Sequence, residues 1–184
     1  MDKPTLDSVT KKILELIIKK QHTEAFKLLV DNYNQRVYWH IRRIVQNHDD
    51  ANDVLQNIYI KIWKSLPRFK GNSKIYTWIY RIATNESITF LNKKKKQPVS
   101  INSVYRKETF TNYQTELMDA ENIQSQLEIA IATLPNKQRV VFNLKYFEEL
   151  KYTEIATITD TSVGALKASY HIAVKKIEKK LKGN

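Results

Sequence analysis

The residues of this sequence best suited to chemistry lie between Ile58 and Lys96, and the chemistry they suit is the capture of nucleic acid. Ten basic side chains (Lys61, Lys64, Arg68, Lys70, Lys74, Arg81, Lys93, Lys94, Lys95, Lys96) stand there against one acid, Glu86, a net +9 (10 − 1) of the chain's +12. Tyr59, Trp63, Phe69, Tyr76, Trp78, Tyr80 and Phe90 are interleaved with them. Cations neutralise phosphates and ring faces give an unstacked base a surface to lie on, so a stretch rich in both fits single-stranded nucleic acid. The plainer alternative is a solvated basic helix whose aromatics belong to a core. A second cluster, His48, Asp49, Asp50 and Asp53, has acids on adjacent turns of the kind magnesium accepts. No nucleophile, base or second carboxylate cluster accompanies it, so a metal-dependent nuclease fits less well.

Composition narrows the classes further. With 184 residues and 42% hydrophobic side chains the chain can bury a core, as one ordinary domain or two small ones. It has no cysteine, which rules out disulfides, thiolate zinc sites and cysteine nucleophiles. Its three glycines, Gly71, Gly164 and Gly183, leave no Gly-rich phosphate loop. The sequence contains no uncharged apolar run long enough to span a membrane, and Met1-Asp2-Lys3-Pro4 opens no signal-peptide core. A cytoplasmic protein without membrane insertion is expected.

The elements that must position these residues read as helices. Val9, Ile13, Leu16, Ile17 and Lys20 suggest a short amphipathic one. Ala25, Phe26, Leu29, Tyr33, Val37, Ile41, Ile44 and Val45 recur at three- and four-residue spacing and predict a longer one ending near Asn47. A third is expected from Asp49 or Asp50, where acids suit the helix start, to a stop at Pro67. After a polar loop, Pro67–Ser73, a fourth should run from Lys74 to about Asn92. Gln97 to Thr115 shows no sustained period and reads as a linker, which favours two domains. The second half resumes with Ile123, Leu127, Ala130 and Leu134. Pro135 suits the first turn of the next helix, which carries Val140, Val141, Leu144 and Phe147. A short helix over Tyr152–Ile158, a break at Thr159-Asp160-Thr161 and a helix from Ser162 form a helix-turn-helix pattern.

Taken together, the two halves resemble the sigma-70 factors of the extracytoplasmic-function group, those with regions 2 and 4 only. The run Asp50-Ala51-Asn52-Asp53-Val54-Leu55-Gln56-Asn57 is similar to the family's D-A-E-D-L-x-Q-E. Phe69-Lys70-Gly71-Asn72-Ser73 and Thr77-Trp78-Ile79-Tyr80-Arg81-Ile82-Ala83-Thr84-Asn85 are similar to its F-x-G-x-S and T-W-L-x-R-I-A-x-N. Leu134 to Phe142, Tyr152 to Ala156 and Ser162 to Ser169 are similar to region 4. Asn52 and Asn57 stand where the family has acids, Asp160 replaces a frequent turn glycine, and Lys167 stands where Arg is common.

The resemblance implies an all-α fold of two helical domains. A region 2 bundle over 20–96 and a region 4 helix-turn-helix unit over 118–182 would be joined by a flexible linker, 97–117. It implies a protein that binds rather than catalyses. Region 2 would dock on the clamp of the largest subunit of core RNA polymerase and region 4 on the flap of the second, reading the minus-10 and minus-35 elements of promoter DNA. An anti-sigma factor is the further expected partner, and neither cofactor nor metal is expected. The docking candidates are Asp50, Asp53 and Gln56, along one side of a helix, with capping and dipole complementation as the alternative role of the acids. The minus-10 candidates are Phe69, Lys70, Gly71, Asn72, Ser73, Lys74, Tyr76, Arg81 and Asn85, with Phe69, Tyr76 and Asn85 offered as a pocket for a flipped base. Lys93, Lys94, Lys95 and Lys96 are candidates for phosphate contact upstream, or a solvated helix end. Ser162, Gly164, Lys167, Ala168, Ser169 and His171 are the minus-35 candidates. A stand-alone helix-turn-helix regulator is the alternative, separated by whether DNA is bound without polymerase.

Overall fold

The computed structural model describes residues 6–96 and 123–182. The expected linker, 97–117, and residues 118–122 lie outside them. Among the described residues every regular element is helical: α1 (Leu6–Ile18), α2 (His22–Val45), α3 (His48–Ser65), a single 3-10 turn (Leu66–Arg68), α4 (Ile75–Lys96), α5 (Ile123–Ala132), α6 (Asn136–Tyr146), α7 (Tyr152–Thr159) and α8 (Val163–Leu181).

Local chemistry sets the junctions. Helix α2 stops because Gln46 turns left-handed, φ 66°, with its N–H bonded back to Arg42 O. The next residue, Asn47, is extended and caps α3 by accepting the Asp50 N–H on Oδ1 at 2.8 Å. Capping by Asn is the stronger signal for this start; the acids of the first turn add to it. Pro67 ends α3 less sharply than expected, since it sits inside the 3-10 turn, whose early positions need no amide donor. Helix α4 runs past Asn92 and takes in the whole lysine run. Lysine is a good helix former, and cations at a C-terminus complement the helix dipole.

The periodic residues are the core. Val9, Ile13 and Ile17 of α1, Leu29, Val37 and Ile41 of α2, Val54, Ile58 and Ile62 of α3, and Ile75, Ile79 and Ala83 of α4 form one buried cluster. Burying each large aliphatic side chain there is worth about 1.5–3 kcal/mol. Trp78, Ile82 and Phe90 pack partly buried against the same cluster. Within the second half, Ala130, Ile131 and Leu134 meet Phe142, Ala173 and Ile177.

The two halves also share a core. Ile44 of α2 and Tyr80 of α4 are buried in one cluster with Val140, Val141 and Leu144 of α6, Leu150, Ile155 and Ile158 around α7, and Leu166 of α8. Helix α7 packs along α4, and α6 against α2. Gln46 Nε2 donates to Ala132 O at 2.9 Å across the same seam, and the Arg43 guanidinium lies 3.7 Å from the centre of the Phe147 ring.

Candidate nucleic-acid interface

The loop before α4 is shaped by Gly71, whose φ of +73° is a left-handed conformation that side chains disfavour. Lys70, Gly71 and Asn72 are exposed and Ser73 is half-buried. Phe69 is not a free ring. It packs against the N-terminal core and lies tilted on Trp78 with centroids 4.9 Å apart.

Helix α4 divides the minus-10 candidates. Nine residues at about 100° each amount to two and a half turns, so Tyr76 and Asn85 lie on opposite sides, and the single pocket expected of Phe69, Tyr76 and Asn85 is not assembled. Arg81 and Asn85 are exposed together on the solvent side. Tyr76 turns to the seam, where its hydroxyl donates to Glu154 Oε1. Lys74, just ahead of the helix, donates to the same oxygen at 3.1 Å and to the Tyr76 hydroxyl at 3.1 Å. Burial and the Glu154 hydrogen bond both push the Tyr76 phenol up. For Glu154, desolvation works upward, but the bonds from Tyr76, the Lys151 backbone and Lys74 outweigh it and hold the carboxyl below its ordinary value.

On α3, Asp53 and Gln56 are exposed and Asp50 is half-buried. Asp50 Oδ2 pairs with Lys94 Nζ at 2.6 Å, so a docking candidate and a phosphate-contact candidate satisfy one another. Lys93 and Lys95 are exposed beside it; Lys96 belongs to the helix, but its side chain lies outside the described ones. His48 bonds the Tyr38 hydroxyl at 2.7 Å and Asn52 at 3.1 Å. Among the described residues no group of three His, Asp or Glu is placed to hold a metal ion.

The helix-turn-helix closes through Asp160, left-handed at φ 51° and ψ 47°, which Asp adopts more readily than most residues. Ser162 caps α8, its Oγ accepting the Ala165 N–H at 3.4 Å. Gly164 is the second residue of α8, where the penalty of a mid-helix glycine does not apply, and a Cβ there would meet nothing within 4 Å. Gly164, Lys167, Ala168 and His171 are exposed, Ser169 is half-buried, and Leu166 anchors the opposite side.

Two acids absent from the sequence expectations organise the seam. Glu148 is 8% exposed, accepts the Tyr80 hydroxyl, and pairs with Arg36 at 3.2 Å. Glu154 also accepts the Lys151 N–H at 3.0 Å, capping α7. Glu154 supplies only half of a capping box, because Lys151 offers no side-chain acceptor, so the sequence carried no full signature of the capping role. Nothing in the sequence ties either acid to residues 68 or 78 positions away. Trp63 and Ile60 of α3 are about half exposed, at 43% and 52%, with Phe26 edge-on to Trp63. They form an apolar patch on the helix that carries Asp53 and Gln56.

Comparison with known proteins agrees with this arrangement. Residues 29–97 match the family model described as Sigma-70 region 2, and residues 124–177 that described as Sigma-70, region 4. The chain is 33% identical over 174 residues to the ECF RNA polymerase sigma factor SigW of Bacillus subtilis (strain 168), covering 90% of this chain and 93% of that protein. It is 30% identical over 184 residues to the ECF RNA polymerase sigma-E factor of Escherichia coli (strain K12), covering 95% and 96%. Its fold is shared by the sigma factor RpoE solved in complex with the anti-sigma factor NepR from Bartonella quintana, with a TM-score of 0.67, 18% identity and coverage of 86% of this chain and 98% of that one. CnrH, solved with the cytosolic domain of CnrY, gives a TM-score of 0.69 at 17% identity, covering 96% and 99%.

Proposed function

This chain belongs to the extracytoplasmic-function sigma factors of RNA polymerase, and on that footing we propose how the work of an alternative sigma factor in transcription initiation is divided among its residues. Residues 20–96 form the unit that docks on the polymerase clamp and captures the minus-10 element, and 118–182 the unit that meets the flap and reads the minus-35 element, with 97–117 between them. Asp53 and Gln56 offer exposed polar contacts to the clamp, and Asp50 joins them once released from Lys94. Lys70, Asn72, Arg81 and Asn85 meet the non-template strand. Lys74 and Tyr76 complete that surface when the seam opens, and Lys93 to Lys96 hold phosphates upstream. On α8, Lys167, Ser169 and His171 reach into the major groove or to its phosphates, with Ser162, Gly164 and Ala168 allowing close approach of the backbone.

Its relatives are sigma factors, which are not enzymes; this chain acts by binding alone, in the cytoplasm beside the polymerase. Among the described residues no helix is long and apolar enough to cross a membrane. An anti-sigma factor is a fitting partner, since both structural neighbours were solved in complex, one of them with a named anti-sigma factor. The observation that carries the reading is the occurrence of both sigma-70 regions, in order, on a fold that ends in a helix-turn-helix. The test is run-off transcription on genomic DNA with core polymerase. Discrete starts that need both core and this chain are expected. Absence of such starts, with tight footprints by the chain alone, would instead establish a stand-alone regulator.

A further inference from the structure

Glu86 is the one acid in the stretch from Ile58 to Lys96, and the surface around it is cationic. Lys61 and Lys64, on the last turns of α3, and Arg68, in the turn that follows, recur at three- and four-residue spacing, and all three are exposed. Arg81 and Asn85 are exposed on α4. Glu86 stands between these groups. It follows Asn85 directly and reaches across to α3, where its Oε1 accepts from Lys61 Nζ at 2.5 Å. Its side chain is 19% exposed, and among the described residues its Oε2 takes no hydrogen bond. Stability does not account for this acid. An ion pair with an exposed lysine contributes little, whereas a carboxylate among cations that hold phosphates works against their affinity. What it adds there is selectivity. A carboxylate accepts hydrogen bonds and donates none, so it favours a base edge that presents an amino group, as Glu does in accepting from cytosine N4, and repels one that presents carbonyl oxygens. In a strand whose bases are turned out, that is the Watson–Crick edge. Adenine, cytosine and guanine each carry an amino group, whereas thymine carries two carbonyl oxygens on either side of its single N–H.

We propose that Glu86 is a base-selecting residue of the minus-10 surface: its Oε2 accepts from the exocyclic amino group of an unstacked non-template base, and Lys61 is the positioning residue that holds the carboxylate for it. The proposal rests on the reading of Arg81 and Asn85 as contacts to that strand. The selection works partly by repulsion. Thymine at the position beside Glu86 is rejected because its carbonyl oxygens face a charged acceptor, and the acid costs some affinity for every sequence in exchange.

The test uses holoenzyme assembled from core polymerase and the full chain, on a promoter located by run-off transcription. The non-template strand is randomised through the minus-10 element, and the DNA that is bound is sequenced. Wild type should select against thymine, relative to the three amino-bearing bases, at one position. Glu86→Gln, whose amide both donates and accepts, should reduce that discrimination about tenfold at the same position and leave the other positions as they were. Lys61→Met should reduce it as well, and Lys61→Arg, which still pairs with a carboxylate, should keep it. Asp31→Asn, at an exposed acid of α2, is the charge-matched control and should select as wild type does. A Glu86→Gln holoenzyme with wild-type preferences at every position overturns the proposal and leaves Glu86 a tie between α3 and α4. A loss of preference spread evenly over the element overturns it too. If wild-type holoenzyme itself shows no base preference in the element, the reading of α4 as a minus-10 surface fails, and the proposal with it. Should Glu86→Gln fail to fold by circular dichroism, the contrast between Lys61→Met and Lys61→Arg decides.

Discussion

Lowering the pH from 7 to 5 should destabilise this protein through one side chain. His40 is fully buried between α2 and α4. Its Nε2 is 2.9 Å from Thr84 Oγ1, its ring stands edge-on to Tyr80 at 5.0 Å, and Nδ1 has no hydrogen-bond partner. Burial, and after it the nearby Arg43 cation, push the imidazole down to about 3 from 6.5. Above pH 6.5 the histidine is neutral in both the folded and the unfolded chain and contributes no pH dependence. Below that, the unfolded chain takes up a proton that the folded one refuses, so stability is lost steadily as pH falls from 6.5 towards 3. Integrated from pH 7 to 5 the loss is about 2 kcal/mol, which moves a urea midpoint by about 1 M. Glu154, held below its ordinary value, contributes in the same direction, but only as pH falls below 4.5. Urea denaturation at pH 7 and 5 is the assay, repeated on His40→Phe, which keeps an aromatic ring against Tyr80 and lets the Thr84 hydroxyl bond to its own helix. The pH-dependent difference should shrink by about 2 kcal/mol in the variant whatever its absolute stability. An unchanged wild-type midpoint, or an equal pH dependence in the variant, would refute this account of His40.

Three further outcomes follow from named groups. Asp53→Lys, at an exposed position of α3, should leave the circular dichroism unchanged and weaken holoenzyme assembly about tenfold, read by pull-down with core polymerase. Gly71→Ala should cost about 1–2 kcal/mol in a thermal melt, because φ is +73° there, and the cost is purely conformational since a Cβ would meet nothing within 4 Å. Replacing Lys70 and Arg81 together by Gln should weaken promoter complexes at every salt concentration and flatten the salt slope by about 0.7 per lost single-strand contact; an unchanged slope would remove them from the DNA path.

The helical bundle was legible because its core is periodic. Ala25, Leu29, Tyr33, Val37, Ile41 and Ile44 all face inward in α2, and every one of them is buried. The turn of the helix-turn-helix was legible because Asp160 tolerates the left-handed region. Helix α4 runs past its expected end near Asn92 through all four lysines, because their propensity and the helix dipole favour continuation. The division of Tyr76 from Asn85 lay within reach of the sequence, since nine residues on a helix cannot share a side. The seam did not: Arg36 and Glu148 are 112 residues apart, and each unit's periodicity reports its own apolar face without saying what covers it. Ile44 was expected in the core of the first unit and Tyr80 among the aromatics interleaved with the basic residues; both complete the core of the second unit.

The ion pair between Asp50 and Lys94 bears on the order of assembly. On the proposed assignment of Asp50 to polymerase and Lys94 to a DNA phosphate, it ties the first turn of α3 to the last turns of α4. Under that assignment the ligand arriving first would break the pair, and the second would then find its own group already released. Linkage makes this assistance mutual and equal in both directions. An exposed pair is worth about 0.2–1 kcal/mol, so polymerase engaging Asp50 would raise phosphate affinity at Lys94 by up to about fivefold, and promoter DNA would tighten the hold on polymerase by the same factor. Through this carboxylate and this ammonium, holoenzyme formation and promoter capture would become cooperative steps.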